Sequence, residues 1–267
     1  MVRRSASGGS TTVSELEPER FRPLRRGTLG EPYLYLAETT STQDVLRDGD
    51  FPHGAVCVAE HQTAGRGRSG RHWDDAPSTA LLCSVLLRPP AGAELPQLSL
   101  VAGLAVAAAL EHEIGSLALL KWPNDVLVDG YKVAGILLEA SAGVVVCGIG
   151  INVNQTERDL PPSPRAPATS LRIVAGRPLD RGSLLAKLLV ELERRYVAWL
   201  ESGLERLADE LEARNALRGR RVRVGGRAGA AGAIAPDGRL TIVLDRGDSV
   251  LVESGEVELW PETRERG

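Results

Sequence analysis

The sequence predicts a mixed α/β (α+β) protein, in which a larger mixed-sheet domain is followed by a small β-barrel. Over residues 33–216, short apolar runs typical of strands alternate with long Ala- and Leu-rich stretches typical of helices. From residue 217 onward, short alternating runs are separated by Gly and Asp-Gly turns, a pattern typical of small barrels. With 267 residues and 43% hydrophobic content, the chain can bury a sizeable core.

The chain divides into three predicted segments. Residues 1–30 are rich in Arg, Ser, Thr, Gly and Glu and lack an apolar run, so we predict a disordered arm and no secretory signal. Residues 31–216 form the predicted larger domain, and residues 217–263 form the predicted barrel. No apolar stretch reaches the roughly 18 residues that a membrane-spanning helix needs, so no membrane association is expected.

The first half of the larger domain combines strands with two helices. Apolar runs predict strands at 33–37, 55–59 and 80–87. Ser41 and the residues after it carry an N-cap signature, which predicts a short helix between the first two strands. A long Ala and Leu pattern predicts a buried helix over 96–113.

The second half continues with strands and ends in helices. Four strand-like runs adjoin one another and imply antiparallel pairing, at 117–122, 126–128, 132–139 and 144–149. Leu at helical spacing predicts amphipathic helices over 181–202 and 204–215. The barrel is predicted from five short runs, at 222–224, 229–234, 240–244, 249–252 and 257–260.

Composition excludes several classes of protein. With a net charge of −3 and a pI near 5.9, the chain as a whole lacks the positive electrostatic field that would attract nucleic acid. Cys57, Cys83 and Cys147 lie in separate apolar runs, which predicts reduced core residues in the cytoplasm. The four histidines lack metal-ligand spacing, so no dedicated zinc site is predicted.

Lysine is scarce in this chain. The 32 basic residues include only three lysines, Lys121, Lys132 and Lys187. A compact ammonium and a planar guanidinium are not interchangeable at a tight site. Lys121 and Lys132 are therefore candidate site residues, whereas Lys187 is predicted to lie on the surface of a helix.

The segment 65–70 reads Gly-Arg-Gly-Arg-Ser-Gly and formally matches a dinucleotide-binding motif. A dinucleotide-binding turn is excluded because no helix follows the motif, Pro77 comes soon after it, and no acidic residue ends a following strand. A P-loop is excluded because the motif lacks the Walker lysine. What remains is a glycine-rich loop (residues 65–77) whose Arg66, Arg68 and Arg71 suit a polyphosphate ligand. A solvated basic turn is the alternative interpretation.

Asp129 and Gly130 stand between alternating runs, which predicts a two-residue hairpin turn. That turn places Asp125 and Lys132 on one face as diagonal neighbours, about 7–8 Å apart at the backbone. An ordinary surface pair is the alternative. The expected facing pairs are Val128 with Tyr131, Leu127 with Lys132, Val126 with Val133, and Asp125 with Ala134.

Residues 148–154 end a buried strand with two glycines and two asparagines. Glycines at such a position allow a ligand to lie against the strand. A plain β-bulge explains the same pattern equally well.

Taken in order, these segments resemble the bacterial biotin protein ligases over residues 33–260. The motifs are Ser-Thr-Gln at 41–43, Gln-Thr-Ala-Gly-Arg-Gly-Arg at 62–68, Lys-Trp-Pro-Asn-Asp at 121–125, Lys-Val-Ala-Gly-Ile-Leu at 132–137 and Gly-Ile-Gly-Ile-Asn at 148–152. The resemblance implies a catalytic domain of the biotin/lipoate ligase type with a C-terminal SH3-like β-barrel. It further implies synthesis of biotinyl-5′-AMP from biotin and ATP, with Mg²⁺, and transfer of biotin to a lysine of a biotin carboxyl carrier protein.

The resemblance also implies site residues. Ser41, Thr42 and Gln62 would lie near the biotin ring, and Gly148 and Asn152 would lie beside the adenylate. The implied catalytic set is Arg66, Arg68 and Lys132 around the carboxylate and phosphate. The hairpin argument adds Asp125, which would orient or deprotonate the acceptor lysine, with a plain salt bridge to Lys132 as the alternative. Gly65, Gly67, Gly135 and Gln43 complete the predicted substrate-binding set. Gln43 departs from the family pattern, which usually has Asn at this position. The sequence does not identify the metal ligands.

Other functions remain as alternatives. The nearest is a lipoate or octanoate ligase or transferase of the same fold, although the Gly-Arg-Gly-Arg loop favours biotin. A nucleic-acid-binding protein is disfavoured by the acidic pI, and a kinase lacks its usual signatures. Many relatives carry an N-terminal winged helix, which thirty polar residues cannot form, so no sequence-specific DNA binding is expected. The sequence leaves the oligomeric state open, a homodimer included.

Overall fold

The structure is a computed structural model that describes residues 13–161 and 167–259. Its main body is a seven-stranded sheet in the order β1-β2-β3-β7-β6-β5-β4. β1 and β2 pair in parallel and all other neighbours pair antiparallel, so the predicted mixed sheet is confirmed. The strands are β1 (Tyr33–Leu36), β2 (Val56–Ala59), β3 (Ala80–Leu87), β4 (Ala118–Lys121), β5 (Asp125–Val128), β6 (Tyr131–Ser141) and β7 (Val144–Asn152).

Helices cover the sheet. The described helices are α1 (Pro18–Phe21), α2 (Thr42–Asp48), α3 (Leu98–Ile114), α4 (Leu171–Ala175), α5 (Arg181–Ser202) and α6 (Ala208–Ala213). Twelve of the 17 residues of α3 are buried, because the helix lies between the sheet and α5. Among the described residues, Leu95–Ile114 is long and apolar enough to cross a membrane, but 72% of its apolar window is buried in the fold, as in a core helix. The predicted helix over 204–215 is instead a 3₁₀ turn at Glu205–Leu207 followed by α6.

The prediction of a disordered arm is wrong for residues 13–30. Leu16, Phe21 and Leu29 are buried in the main core, and the ring of Phe21 stacks on Tyr33 at 4.3 Å. These three side chains are too widely spaced among polar residues to produce a periodic pattern. Burial of an apolar side chain contributes roughly 1.5–3 kcal/mol, which explains why the segment packs on the domain. Residues 1–12 lie outside the described residues.

A buried ion pair also holds the N-terminal segment. Arg181, at the start of α5, is 2% exposed and donates to Glu15 at 2.9 Å and to Glu60 at 2.8 Å. The hydroxyl of Ser14 donates to the same Glu60 carboxylate. Because a buried charge is costly without a partner, these contacts require residues 14 and 15 to stay in place.

The C-terminal region is a five-stranded antiparallel sheet in the order β11-β10-β9-β8-β12. Its strands are β8 (Arg221–Val224), β9 (Arg227–Ile234), β10 (Leu240–Leu244), β11 (Ser249–Val252) and β12 (Glu258–Leu259). Val222, Leu240 and Ile242 join the same core cluster as α3. The turn between β9 and β10 also touches the larger sheet, where the indole of Trp122 donates to the carbonyl of Gly238 at 2.9 Å.

The predicted hairpin between β5 and β6 forms, with one change of register. Asp129 and Gly130 both have positive φ, as this two-residue turn requires, and Val128 faces Tyr131. Beyond Leu127 and Lys132 the ladder slips by one residue at a β-bulge. The two remaining pairs were therefore predicted wrongly, because Val126 faces Ala134 and Asp125 faces Gly135.

Candidate active site

A cavity of about 50 Å³ lies on the sheet beneath α2 and the glycine-rich loop. Its floor comes from β3, β6 and β7, and its walls come from the start of α2 and the loop. The predicted site residues that line it are Ser41, Thr42, Gln43, Gln62, Arg66, Gly67, Arg68, Lys132, Gly135 and Gly148. The structure thus brings together residues from all five sequence motifs. Asn152, the last residue of the fifth motif, does not line the cavity.

One end of the cavity, the neutral end, is lined by Thr42 and Gln62, and the buried Ser84 contacts Thr42. The backbone N–H and the hydroxyl of Thr42 donate to Oε1 of Gln62 at 2.8 and 3.1 Å. The Thr42 and Ser84 hydroxyls lie 2.7 Å apart, and all three residues are buried. Because Oε1 of Gln62 accepts two bonds, its amide nitrogen turns toward Gly65 and offers donors to a ligand oxygen.

Ser41 and Gln43 continue this wall. The Ser41 side chain caps α2 by accepting from the backbone N–H of Gln43 at 3.3 Å, as its sequence signature predicts. The Gln43 amide donates to the carbonyl of Leu137 at 3.2 Å, which turns its Oε1 toward Gly148. A methyl group at Gly148 would lie 2.7 Å from Cδ of Gln43. Glycine at 148 therefore makes room for the long Gln43 side chain.

The opposite end, the charged end, holds Arg66, Arg68 and Lys132. Arg66 reaches away from the loop to Glu139 on β6 and Asp44 on α2, with three hydrogen bonds of 2.9–3.1 Å. The hydrogen bond from Arg66 lowers the pKa of the Asp44 carboxyl below its usual value. An anion can reach the Arg66 guanidinium only after these carboxylates release it.

Arg68 points in the other direction along the site. Its Nη1 donates to Oδ1 of Asn124 at 3.2 Å, and Asn124 is itself held by Ile136 through backbone and side-chain hydrogen bonds. Burial lowers the pKa of the Arg68 guanidinium from its ordinary value. An arginine side chain carries its charge at neutral pH. Within the described residues, the hydrogen-bond partner of Arg68 is the neutral Asn124, which suits this cation to receive an anionic ligand.

Lys132 and Asp125 form the ion pair that the hairpin argument predicted. Nζ of Lys132 lies 2.7 Å from Oδ1 of Asp125, and the two side chains are 28% and 18% exposed, so the pair is partly buried. The bulge keeps both side chains on the cavity side of the sheet even though their backbones are not directly opposed. Lys121 faces Asp125 across β4 and β5, and burial lowers the pKa of its ammonium group. Two lysines thus flank one carboxylate.

Trp73 is a lining residue that the sequence analysis missed. Its ring lies over Gly150 and Gly135, where added methyl groups would come within 2.6 and 3.0 Å of ring atoms. Nζ of Lys132 is 5.6 Å from the ring centroid, and the indole N–H has no hydrogen-bond partner in the described part of the chain. An aromatic residue within a loop of Gly, Arg and His was the available signal. Its flat face explains why β6 and β7 carry glycines here.

Three predicted residues lie beside the cavity but do not line it. Gly65 sits against the backbone of Trp73, and Asp125 reaches the cavity only through Lys132. Asn152 points away, since its amide donates to the carbonyl of Thr169 at 3.0 Å and its oxygen accepts from Gln155. Asn152 therefore anchors the segment around Thr169.

The cysteines and possible metal ligands add little to this chemistry. Cys57, Cys83 and Cys147 are free and buried, as predicted, and burial raises the pKa of the Cys57 and Cys147 thiols to about 12. Cys83 lines the cavity, and burial likewise raises its pKa, so it offers a neutral apolar surface. Within residues 13–161 and 167–259, no cluster of three or more His, Cys, Asp or Glu side chains could hold a metal ion.

Comparisons with known proteins agree with this arrangement. Residues 35–155 match the biotin/lipoate A/B protein ligase family. The chain is 40% identical over 242 residues to the biotin–[acetyl-CoA-carboxylase] ligase of Mycobacterium tuberculosis. The matched region covers 83% of this chain and 86% of that protein. It is 37% identical over 189 residues to the bifunctional ligase/repressor BirA of Bacillus subtilis. That match spans 58% of the length of the B. subtilis protein.

A solved structure gives the same answer. The biotin protein ligase from Aquifex aeolicus in complex with biotin and ATP superposes with a TM-score of 0.78 and 34% identity, covering 85% of this chain and 97% of that one. The chain belongs to the biotin/lipoate A/B protein ligase family, among its biotin protein ligases.

Proposed function

We propose that the chain is an ATP-dependent ligase that forms biotinyl-5′-AMP and then transfers biotin to one lysine of a biotin carboxyl carrier protein. The observation that carries the proposal is one cavity with a neutral end at Thr42 and Gln62 and a charged end at Arg68 and Lys132. Such a cavity suits a neutral polar ring joined to a carboxylate. The names of the M. tuberculosis and A. aeolicus relatives support biotin, ATP and an acetyl-CoA carboxylase carrier as substrates.

The first step joins two anions. The biotin carboxylate attacks the α-phosphate of ATP, and it is ionised at neutral pH, so no general base is needed. Lys132 and Arg68 supply positive charge where the carboxylate and phosphate meet. We assign Mg²⁺ to the leaving pyrophosphate, because Mg²⁺ binds substrate phosphates and needs only one or two protein carboxylates.

The second step transfers biotin to an amine. The acceptor lysine must lose a proton before its nitrogen can attack the carbonyl carbon of the mixed anhydride, which forms the amide and releases AMP. Asp125 is the carboxylate nearest to Lys132 at the charged end, and an anionic ligand that takes over Lys132 would free it. We assign Asp125 the role of orienting or deprotonating the acceptor lysine.

Several finer assignments belong to the same proposal. We assign residues 31–216 to the catalytic domain and residues 217–263 to an SH3-like barrel, which the five-stranded antiparallel C-terminal sheet supports. We assign Gly148 and Asn152 to positions beside the adenylate, an assignment that requires Asn152 to exchange its contact with Thr169. The three free, buried cysteines fit a reducing cytoplasm.

Pyrophosphate exchange into ATP tests the proposal most directly. The purified chain should exchange pyrophosphate only when biotin is present, and a biotin carboxyl carrier domain should then become biotinylated. Lipoate and octanoate serve as the comparison, because a ligase or transferase of the same fold is the competing function. Exchange that depends on lipoate or octanoate and not on biotin would replace the proposed function with that alternative.

A further inference from the structure

Four charged side chains meet at the mouth of the cavity. Arg66 comes from the glycine-rich loop, Asp44 and Arg47 come from α2, and Glu139 comes from β6. Both arginines contact both carboxylates, at N–O distances of 2.7–3.2 Å. This cluster, which we name the mouth cluster, is thus built from three separate elements around one site.

Every guanidinium nitrogen of Arg66 is used in the mouth cluster. Its Nε and Nη2 donate to the two oxygens of Glu139 at 2.9 and 3.1 Å, and its Nη1 donates to Asp44 at 2.9 Å. A bidentate pair of this kind is stronger and more directional than a single contact. Both carboxylates are about one quarter exposed, so solvent screens the pairs less than at a fully open surface.

The rest of the loop contacts the body of the protein through the ring of Trp73, which lies over Gly135 and Gly150, and through fewer charged contacts than Arg66 makes. Its backbone hydrogen bonds join Gly67 to Arg71 and Trp73 to Gly65, which close the loop on itself. At the base, His61 holds Asp75 at 3.1 Å. Besides Arg66, the described arginine contacts from the tip to the body are Arg68 with the neutral Asn124 and the exposed pair of Arg71 with Glu256.

We propose that Glu139 and Asp44 are positioning residues which, through Arg66, hold the glycine-rich loop closed over the reaction intermediate. The closed loop keeps Trp73 and Arg68 in the cavity, so its opening would release whatever lies beneath. A mixed anhydride must be retained and kept from water until the acceptor lysine arrives. Arg66 acts here on the loop and not on the phosphate. This inference rests on the proposed function.

The test compares release of the intermediate with its formation. The variants are Arg66→Gln and Glu139→Ala, and Arg47→Gln is the matched control, since Arg47 contacts the same carboxylates without joining the loop to them. Biotinyl-5′-AMP is formed on the enzyme from labelled biotin and ATP, and its dissociation is followed without a carrier. Formation is measured separately in a single turnover.

We expect Arg66→Gln and Glu139→Ala to release the intermediate about tenfold faster, the factor that ~1.4 kcal/mol of lost contact gives. The double variant should be little worse than either single one, because both changes remove the same contact. Release from Arg47→Gln should match the parent. In Arg66→Gln and Glu139→Ala, the rate of biotinyl-5′-AMP formation should fall by a smaller factor than the rate of its release rises.

Two results would overturn the inference. The first is parental release from Glu139→Ala, and the second is a loss of formation in Arg66→Gln that Glu139→Ala does not share, which would make Arg66 a phosphate ligand. Equal melting temperatures of parent and variants show that any change arises at the loop and not from unfolding. If the parent forms no biotinyl-5′-AMP at all, the proposed function fails, which is a distinct outcome.

Discussion

The two ends of the cavity differ in how their polar side chains are paired within the protein. At the neutral end, Thr42, Gln62 and Ser84 already pair with one another through buried hydrogen bonds, and the Gln62 amide nitrogen, which takes no part in these bonds, lies beside Gly65. At the charged end, Lys132 is paired with a protein carboxylate that an incoming anion must replace. The neutral end is therefore preorganised for recognition, whereas the charged end exchanges partners.

This difference has a physical reason. A buried hydroxyl or amide is costly only when it lacks a partner, and a network can supply those partners permanently. A partly buried cation needs an opposite charge, and Asp125 supplies one to Lys132. Recognition of the ring and neutralisation of the anion should therefore fail independently when either end is altered.

The largest expected effect is at the charged end. Nζ of Lys132 lies in a tight space, 2.7 Å from Asp125 and 3.2 Å from the position of a methyl group at Gly135. Lys132→Arg should reduce biotin-dependent pyrophosphate exchange by about 10²-fold, the order of one well-aimed transition-state contact. Lys187→Arg is the control, because Lys187 contacts Glu113 on the helical side of the fold and an arginine can keep that contact. A parental rate in Lys132→Arg would make Lys132 a generic cation.

A second prediction concerns the wall formed by Gln43. Gly148→Ala should raise the KM for biotin about tenfold, because the new methyl group would displace Gln43 and overpacking costs ~1–3 kcal/mol. The same change in a Gln43→Ala background should have little effect, since the colliding side chain is then absent. Steady-state kinetics of the two single variants and the double variant measure this coupling. Additive effects would show that Gln43 does not occupy this space.

A smaller effect is expected at the neutral end. Thr42→Val keeps the shape of the side chain but removes the hydroxyl between Gln62 and Ser84, so residue 42 holds Oε1 of Gln62 with one hydrogen bond, from its backbone N–H, instead of two. The KM for biotin should rise about three- to tenfold, as expected for one neutral hydrogen bond, and the KM for ATP should stay the same. Thr63→Val, at an exposed position, provides the control. An equal change in both KM values would contradict the separation of the two ends.

The smallest effect concerns pH. The contact with Arg66 lowers the folded-state pKa of Asp44 below its ordinary 3.8, so the contact contributes stability that is present above that pH and is lost as pH falls through the lowered value. The neutral end does not titrate in this range. Urea unfolding of the parent and Asp44→Asn should differ at pH 6 and converge as the pH is lowered below 3.8. A difference that stays constant with pH would contradict this account.

The sequence predicts the sheet and the hairpin well because both rest on local signals. Alternation, an N-cap at Ser41 and a two-residue turn at Asp129 and Gly130 each act over a few residues, and β3, α5, β10 and β11 have the predicted bounds. The bulge after Lys132 was not predictable, since it depends on pairing with residues 167–169 across the fold. The order of residues 13–30 also depends on distant partners, namely Arg181 and the core.

The site was predicted through its motifs but not through its contacts. The residues that line the cavity come mostly from the five motifs, whereas Glu139 and Asp44 bear no local mark of their role. Trp73 was missed because nothing near it in the sequence shows that glycines of β6 and β7 leave room for its ring. Long-range side-chain contacts carry no periodicity that a single sequence reveals.

Calorimetric titration of biotin and of its alcohol analogue into the parent and Lys132→Ala tests the central claim most directly. The analogue keeps the ring but lacks the carboxylate, so it engages only the neutral end. Lys132→Ala should weaken biotin binding to the level of the alcohol and leave binding of the alcohol unchanged. Equal losses for both ligands would contradict the division of the cavity into a preorganised neutral end and an exchanging charged end.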